Sequence, residues 1–260
     1  MEDGSRQSQT LKAVLGLRGR IIDGLIPAGG RVSEAFLVKE FGVSRTPARV
    51  ALMRLKEEGL LETLPSGGFV VSGFSMQDVS EAIEIRGTLE GMAARYAAER
   101  GAPTEILLLM DDCVDKLDVV INNLTTAENL DGYVELNDRF HELLIDAAQS
   151  SMLKRSIERV LTLPFAAPNA FVRSSQTDFP GIKNILLFSN EQHRCIVDAI
   201  RNREGTRAQS IAIEHSRSAW KYLKLALAGQ SFWQTTDLSL VHGLGIRYQN
   251  KVGARKAAGK

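Results

Sequence analysis

Two cysteines, Cys113 and Cys195, are all that 260 residues contain. They are too few for a disulfide framework and too far apart for a CxxC metal or redox motif. A reducing, cytoplasmic setting is the expectation. No apolar run approaches the roughly 18 residues of a membrane span, and the opening "MEDGSRQSQT" lacks the basic-then-apolar order of a secretory signal. An excess of one charge is missing too. The formal net charge is +1, so the overall balance names no partner, and a nucleic-acid surface would have to be local. Hydrophobic residues are not scarce: at 44% they suffice for one large domain or two modest ones.

Between residues 11 and 71, nine Lys/Arg (Lys12, Arg18, Arg20, Arg31, Lys39, Arg45, Arg49, Arg54, Lys56) face six acids (Asp23, Glu34, Glu40, Glu57, Glu58, Glu62). That segment is mildly basic, and the middle of the chain is acidic. Leu11, Val14, Leu15, Ile21, Ile22 and Leu25 recur at near-helical spacing until Pro27, Gly29 and Gly30 end the pattern. A short second helix runs from about Ser33 to the breaker Gly42. A third opens at Ser44, its first turn tolerating Pro47 because the missing amide has no partner there, and it stops at Gly59. "LLETLPSGGFVV" reads as two short strands joined by a tight turn.

After the polar joint "SGFS" the strand signals vanish. Ser75-x-x-Asp78 forms a capping box for a helix to about Arg100. Further helices are expected near 103–123, 127–148, 150–161, 190–202 and 206–228, the one from 190 opened by a second box, Ser189-x-x-Gln192. The stretch from Leu163 to Phe188 is expected to be a long loop or broken helix. The expected fold is mainly α. Residues 1–10 form a disordered start, 11–72 a winged helix-turn-helix with a small β-hairpin wing, 73–76 a linker, 77–230 an all-helical bundle, and 231–260 a basic, partly disordered tail.

In a winged helix-turn-helix the later helix enters the major groove of DNA. Arg45 and Arg49, four apart, project from one face near the start of the third helix, with Ser44 and Thr46 beside them. Helix starts favour phosphate, and arginine can grip guanine with two hydrogen bonds. Gly67 and Gly68 would let the wing approach the backbone. Arginines at this spacing also suit a plain solvated face. The stretch "GLIPAGGRVSEAFLVKEFGVSRTPARVALMRLKEEGLLETLPSGGFVV" nevertheless resembles the DNA-binding domain of the GntR family of bacterial transcriptional regulators. That resemblance implies DNA contacts at Ser44, Arg45, Thr46, Arg49, Gly67 and Gly68. Ala35 departs from it, standing where relatives often carry a DNA-contacting arginine.

His141, His193 and His215 each fall on an expected helix of the second domain, His193 and His215 within apolar stripes that point inward. Three inward imidazoles on different helices can meet around a divalent metal, or can be unrelated core histidines. Asn137-x-x-x-His141, His193 in "NEQHRCIVDAI" and His215 in "AIEHSRSA" resemble the metal ligands of the FCD domain, the helical ligand-binding bundle of the FadR subfamily. The first ligand there is commonly Asp. Asn137, a neutral amide, is a weaker partner for Zn²⁺ or a similar ion, and Asp138 points about 100° away. Ser150 stands where relatives often carry Asn. Arg86 and Glu90 interrupt an apolar stripe, which suits an internal salt bridge. By resemblance, they suit binding of a carboxylate effector.

The leading expectation is a homodimeric regulator on a near-palindromic double-stranded operator, controlled by a small organic acid and without enzymatic activity. A metal-dependent hydrolase built on the three histidines, or a non-sensing architectural DNA binder using the basic tail, are the alternatives.

Overall fold

The computed structural model describes residues 2–22, 25–74, 76–126, 130–163, 166–169 and 179–228. Helix α1 (Glu2–Ile22) begins well before Leu11, so helix occupies the expected disordered start. Ala13, Val14, Leu17 and Ile21, three or four apart, are its buried stripe.

Helix α2 (Glu34–Phe41) is capped at both ends. The Ser33 hydroxyl accepts from the Phe36 amide, and Gly42, left-handed at φ 63°, donates its own amide to the Val38 carbonyl. Helix α3 (Arg45–Glu57) follows, burying Pro47, Ala48, Ala51, Leu52 and Leu55. Two strands, β2 (Leu61–Thr63) and β3 (Phe69–Val71), form the expected hairpin, with Leu61 opposite Val71 and Thr63 opposite Phe69. Its turn closes through Gly67 and Gly68, at φ 85° and 86°, with the Gly67 amide on the Leu64 carbonyl and the Leu64 amide on the Gly68 carbonyl. A third strand, β1 (Arg31–Val32), pairs antiparallel with β3, giving the order β1-β3-β2. Two residues are too few to show an alternating pattern, so the sequence offered no sign of it. Val14, Leu17, Leu37, Leu52 and Leu55, all fully buried, hold these elements on one core. Each such side chain contributes about 1.5–3 kcal/mol by leaving water.

Residues through Val79 make one compact unit, and the described residues from Ser80 onwards make another. The break falls in the first turn of α4 (Met76–Arg100), so helix already occupies the last position of the expected linker. Ser75 and the expected tail lie outside the described residues.

The second unit is helical: the rest of α4, then α5 (Thr104–Asn123), α6 (Asp131–Ala147), α7 (Ser151–Val160), α8 (Phe179–Arg201) and α9 (Gly205–Ala228). Its core includes Met110, Val114, Phe140, Leu144, Ile196, Val197 and Ile200. Close approach of α4 and α9 depends on Gly87, where a Cβ would fall 2.1 Å from Ser216 Oγ. Ser150 caps α7, accepting from the Leu153 amide.

The helix expected from 190 starts earlier. Helix α8 begins at Phe179, so Ser189 is a buried mid-helix residue and Ser189-x-x-Gln192 opens nothing. The inward stripe Ile182, Leu186, Asn190, His193 and Val197 runs unbroken along it, and that burial outweighs a composition that reads as loop.

Candidate functional site

Ser44, Arg45, Thr46 and Arg49 are all exposed at the start of α3, and Gly67 and Gly68 are exposed at the wing tip. Ser44 is the N-cap residue, yet its side chain caps nothing. Pro47, at the third helical position, has no amide to offer it. Instead the Ser44 amide and hydroxyl both donate to the Gln9 side-chain carbonyl of α1, at 3.1 and 3.3 Å. The Arg45 and Thr46 amides have no intrahelical acceptor at that end, which leaves a positive helix start beside two arginines. Arg49 is 75% exposed, with Glu34 at 3.9 Å. Arg54 instead turns back to Glu58 at 3.2 Å. Ala35 is exposed on α2 and reaches for nothing.

In the second unit His141 of α6, His193 of α8 and His215 of α9 meet. His193 Nε2 is 3.0 Å from His215 Nε2, which is 3.4 Å from His141 Nε2. One nitrogen from each lies within 4.8 Å of the others, and all three rings are buried. Two nitrogens bound at about 2.0–2.1 Å to one tetrahedral ion lie roughly 3.3 Å apart, so the spacing suits a shared Zn²⁺.

The opposite nitrogen of each ring faces an oxygen. His141 Nδ1 faces Glu90 Oε1 at 3.0 Å, His193 Nδ1 faces Asn190 Oδ1 at 3.4 Å and His215 Nδ1 faces Gln192 Oε1 at 3.3 Å. Asn190 has no choice of orientation, because its Nδ2 donates to the Val114 carbonyl at 3.0 Å and to Asp118 Oδ1 at 2.6 Å. With Nδ1 carrying the proton on each ring, the three Nε2 lone pairs point at one another. A cation among them relieves that repulsion, so the donor set fits a divalent metal.

Burial, reinforced by His215 and His141, keeps His193 ionising well below the usual histidine range. Burial and then His141 push His215 down to about 3. For Glu90 burial pulls upward, but His141 and Arg86 outweigh it and hold the carboxyl at about 2.

Arg86 and Glu90 are 2% and 1% exposed. Their side chains pair at 3.6 Å, and Arg86 Nη1 donates to the Ala166 carbonyl at 2.8 Å. Asn137 lines a cavity of about 20 Å³ with Arg86, Tyr133, His141, Ser189, His215 and Ser218. Its Oδ1 accepts from the Tyr133 hydroxyl at 3.3 Å and its Nδ2 donates to Asn169 Oδ1 at 3.1 Å. Asn169 also donates to Asp138 at 2.7 Å, which keeps that carboxylate on the exposed side of α6. Sequence reasoning missed Gln9, Asn169, Asn190 and Gln192. The i, i+3 spacing of Asn190 and His193 was the available signal for one of them.

Residues 9–71 match the family described as "Bacterial regulatory proteins, gntR family", and residues 81–218 match the FCD domain. An uncharacterised HTH-type transcriptional regulator, YdhC of Bacillus subtilis, is 33% identical over 144 residues, 55% of this chain. The chain spans 62% of that relative's length. The HTH-type transcriptional repressor RspR of Escherichia coli is 28% identical over 217 residues, covering 84% of this chain and 90% of that protein. Among solved structures, Escherichia coli McbR/YncC shares the fold with a TM-score of 0.59 at 19% identity, over 83% of this chain and 97% of that one.

Proposed function

Because the chain belongs to the GntR family of bacterial regulatory proteins and carries an FCD domain, we propose that it binds a near-palindromic operator as a homodimer under the control of a small carboxylate effector. It is a transcriptional regulator. Ser44, Arg45, Thr46 and Arg49 contact the major groove and its flanking phosphates, and the Gly67-Gly68 tip follows the neighbouring backbone. In the second unit His141, His193 and His215 hold a divalent metal, with Asn137 at the edge of the set. The metal, when bound, supplies a Lewis-acidic position for an effector oxygen. Arg86 presents a guanidinium to the same cavity.

The observation that carries the sensor reading is the convergence of three buried Nε2 atoms, each fixed by an oxygen behind it. A hydrolase would need a base for a metal-bound water. Glu90, the carboxylate against the cluster, is already held by Arg86 and His141. That, with the family, favours regulation over catalysis.

The test begins by selecting bound duplexes from random-sequence DNA with the full chain. One enriched, near-symmetric site is expected. Arg45→Ala and Arg49→Ala should each weaken binding to it by about 1–3 kcal/mol. His193→Ala should leave DNA binding intact and remove stabilisation by Zn²⁺. Failure to enrich any sequence would sink the operator reading, and Zn²⁺ stabilisation surviving in His193→Ala would sink the metal site.

A further inference from the structure

Val50 and Met53 are 48% and 42% exposed, the apolar side chains that α3 leaves in water. Every other exposed residue of the helix is polar: Arg45, Thr46, Arg49, Arg54, Lys56 and Glu57. Helix propensity does not favour valine at such a position, since a β-branched side chain loses rotamer freedom there and a half-exposed one regains little by burial.

Their place on the helix is specific. Met53 lies seven residues, or two turns, beyond Thr46, on the line opposite the buried Pro47, Ala48, Ala51, Leu52 and Leu55. Arg49 and Val50 flank that line one turn after Thr46. Thr46 to Met53 covers about 10 Å of helix at 1.5 Å per residue, roughly three base-pair steps of a duplex at 3.4 Å each. Glu57, exposed one turn past Met53, marks the far limit, because its carboxylate repels phosphate.

The charge around the pair selects what it meets. Arg45 and Arg49 are exposed on the same side, and the α3 start has no side-chain cap, so a positive rim surrounds the apolar pair and complements a polyanion. On the major-groove edge of a duplex the apolar group is the C5 methyl of thymine, and the other bases are read there by their donors and acceptors.

We infer that Val50 and Met53 read thymine methyls in each half-site, beside the bases met by Arg45 and Arg49. This rests on the DNA reading above and adds to it bases that the arginines do not specify. Val50 offers short, stiff methyls close to the helix, and Met53 reaches further and adapts.

The experiment replaces each thymine of the duplex enriched by the full chain, one at a time, with deoxyuridine, which keeps the hydrogen-bonding atoms and removes the methyl. At a thymine that is read, affinity should fall about fourfold, the worth of one carbon taken out of water. Val50→Ala or Met53→Ala should abolish that sensitivity at the thymine its side chain reads, binding both duplexes within about 1.5-fold of each other. The dependence on salt should stay that of the wild type, since no phosphate contact is lost. Alanine is the better helix former at an exposed site, so both variants keep α3. An enriched site without thymine overturns the inference, as does uracil tolerated at every position. So does a variant that weakens both duplexes alike and keeps the wild-type sensitivity to uracil, which would mark the face as a contact for another protein. In each of these cases the losses in Arg45→Ala and Arg49→Ala leave the DNA reading standing, whereas enrichment of no sequence removes both.

Discussion

Asn190 does two things with one amide. Its nitrogen is anchored to Val114 and Asp118, so its oxygen is fixed toward His193 Nδ1. Asn190→Ala removes that acceptor and frees the imidazole to place its proton on Nε2, the atom the metal needs. Zn²⁺ affinity should fall about 10- to 100-fold, and nitrogen NMR of His193 should show the tautomers mixing. An unchanged tautomer in this variant would refute the positioning role. The lowered ionisation of His215, His193 and Glu90 makes a second expectation, for the metal-free chain. All three take up protons more readily unfolded, so stability is full above about pH 6.5, the ordinary histidine value. It falls as the pH drops toward 3, the His215 value, by about 1.4 kcal/mol per pH unit for each histidine titrating, with Glu90 adding its loss below its ordinary value of 4.5. Urea denaturation at a series of pH values checks the direction, and stability that held level from pH 7 to 4 would contradict it. His141, His193 and His215 were legible because their spacing set them in inward stripes. Of their orienting groups Gln192 was not, because an amide that touches a ring across a helix interface leaves no period in the sequence, whereas Asn190 left its i, i+3 spacing to His193.

Helices α2 and α3 were legible for a physical reason: Ser33, Gly42 and Pro47 are local punctuation whose effect needs no tertiary partner. The early part of α8 was hidden for the opposite reason, since its Asn, Ser and Gly content speaks for loop and only packing overrules it. Ser189-x-x-Gln192 shows the same limit, because a capping pattern buried in mid-helix looks identical to one at a start. Packing of α4 on α9 is equally invisible in composition. Gly87→Ala would set a methyl about 2.1 Å from Ser216 Oγ and 2.6 Å from its Cβ, forcing the two helices apart where α4 carries Glu90 to His141. The expected cost is about 1–3 kcal/mol, typical of overpacking, read as a lower melting temperature, together with weaker Zn²⁺ binding. A variant as stable as the wild type would mean that Ser216 turns aside without cost.

The two units bury separate cores, one of residues no later than Val71 with Phe74 packed on it, the other starting at Ala93 and Ala94 on α4. Chemical denaturation should therefore show two transitions, and Zn²⁺ at about 100 times its Kd should stabilise only the second unit, by about 2.7 kcal/mol. A single transition shifted as a whole would contradict that separation. The Gln9 contact bears on where the chain can be cut. A shortened protein beginning at Leu11, the start that sequence periodicity suggests, would keep every residue of the reading surface and lose the side chain that holds Ser44. The same holds for grafting residues 33–57 onto another scaffold: the transplant would carry its arginines but leave their alignment behind in α1. Portability of the reader is thus set by a glutamine that lies outside it.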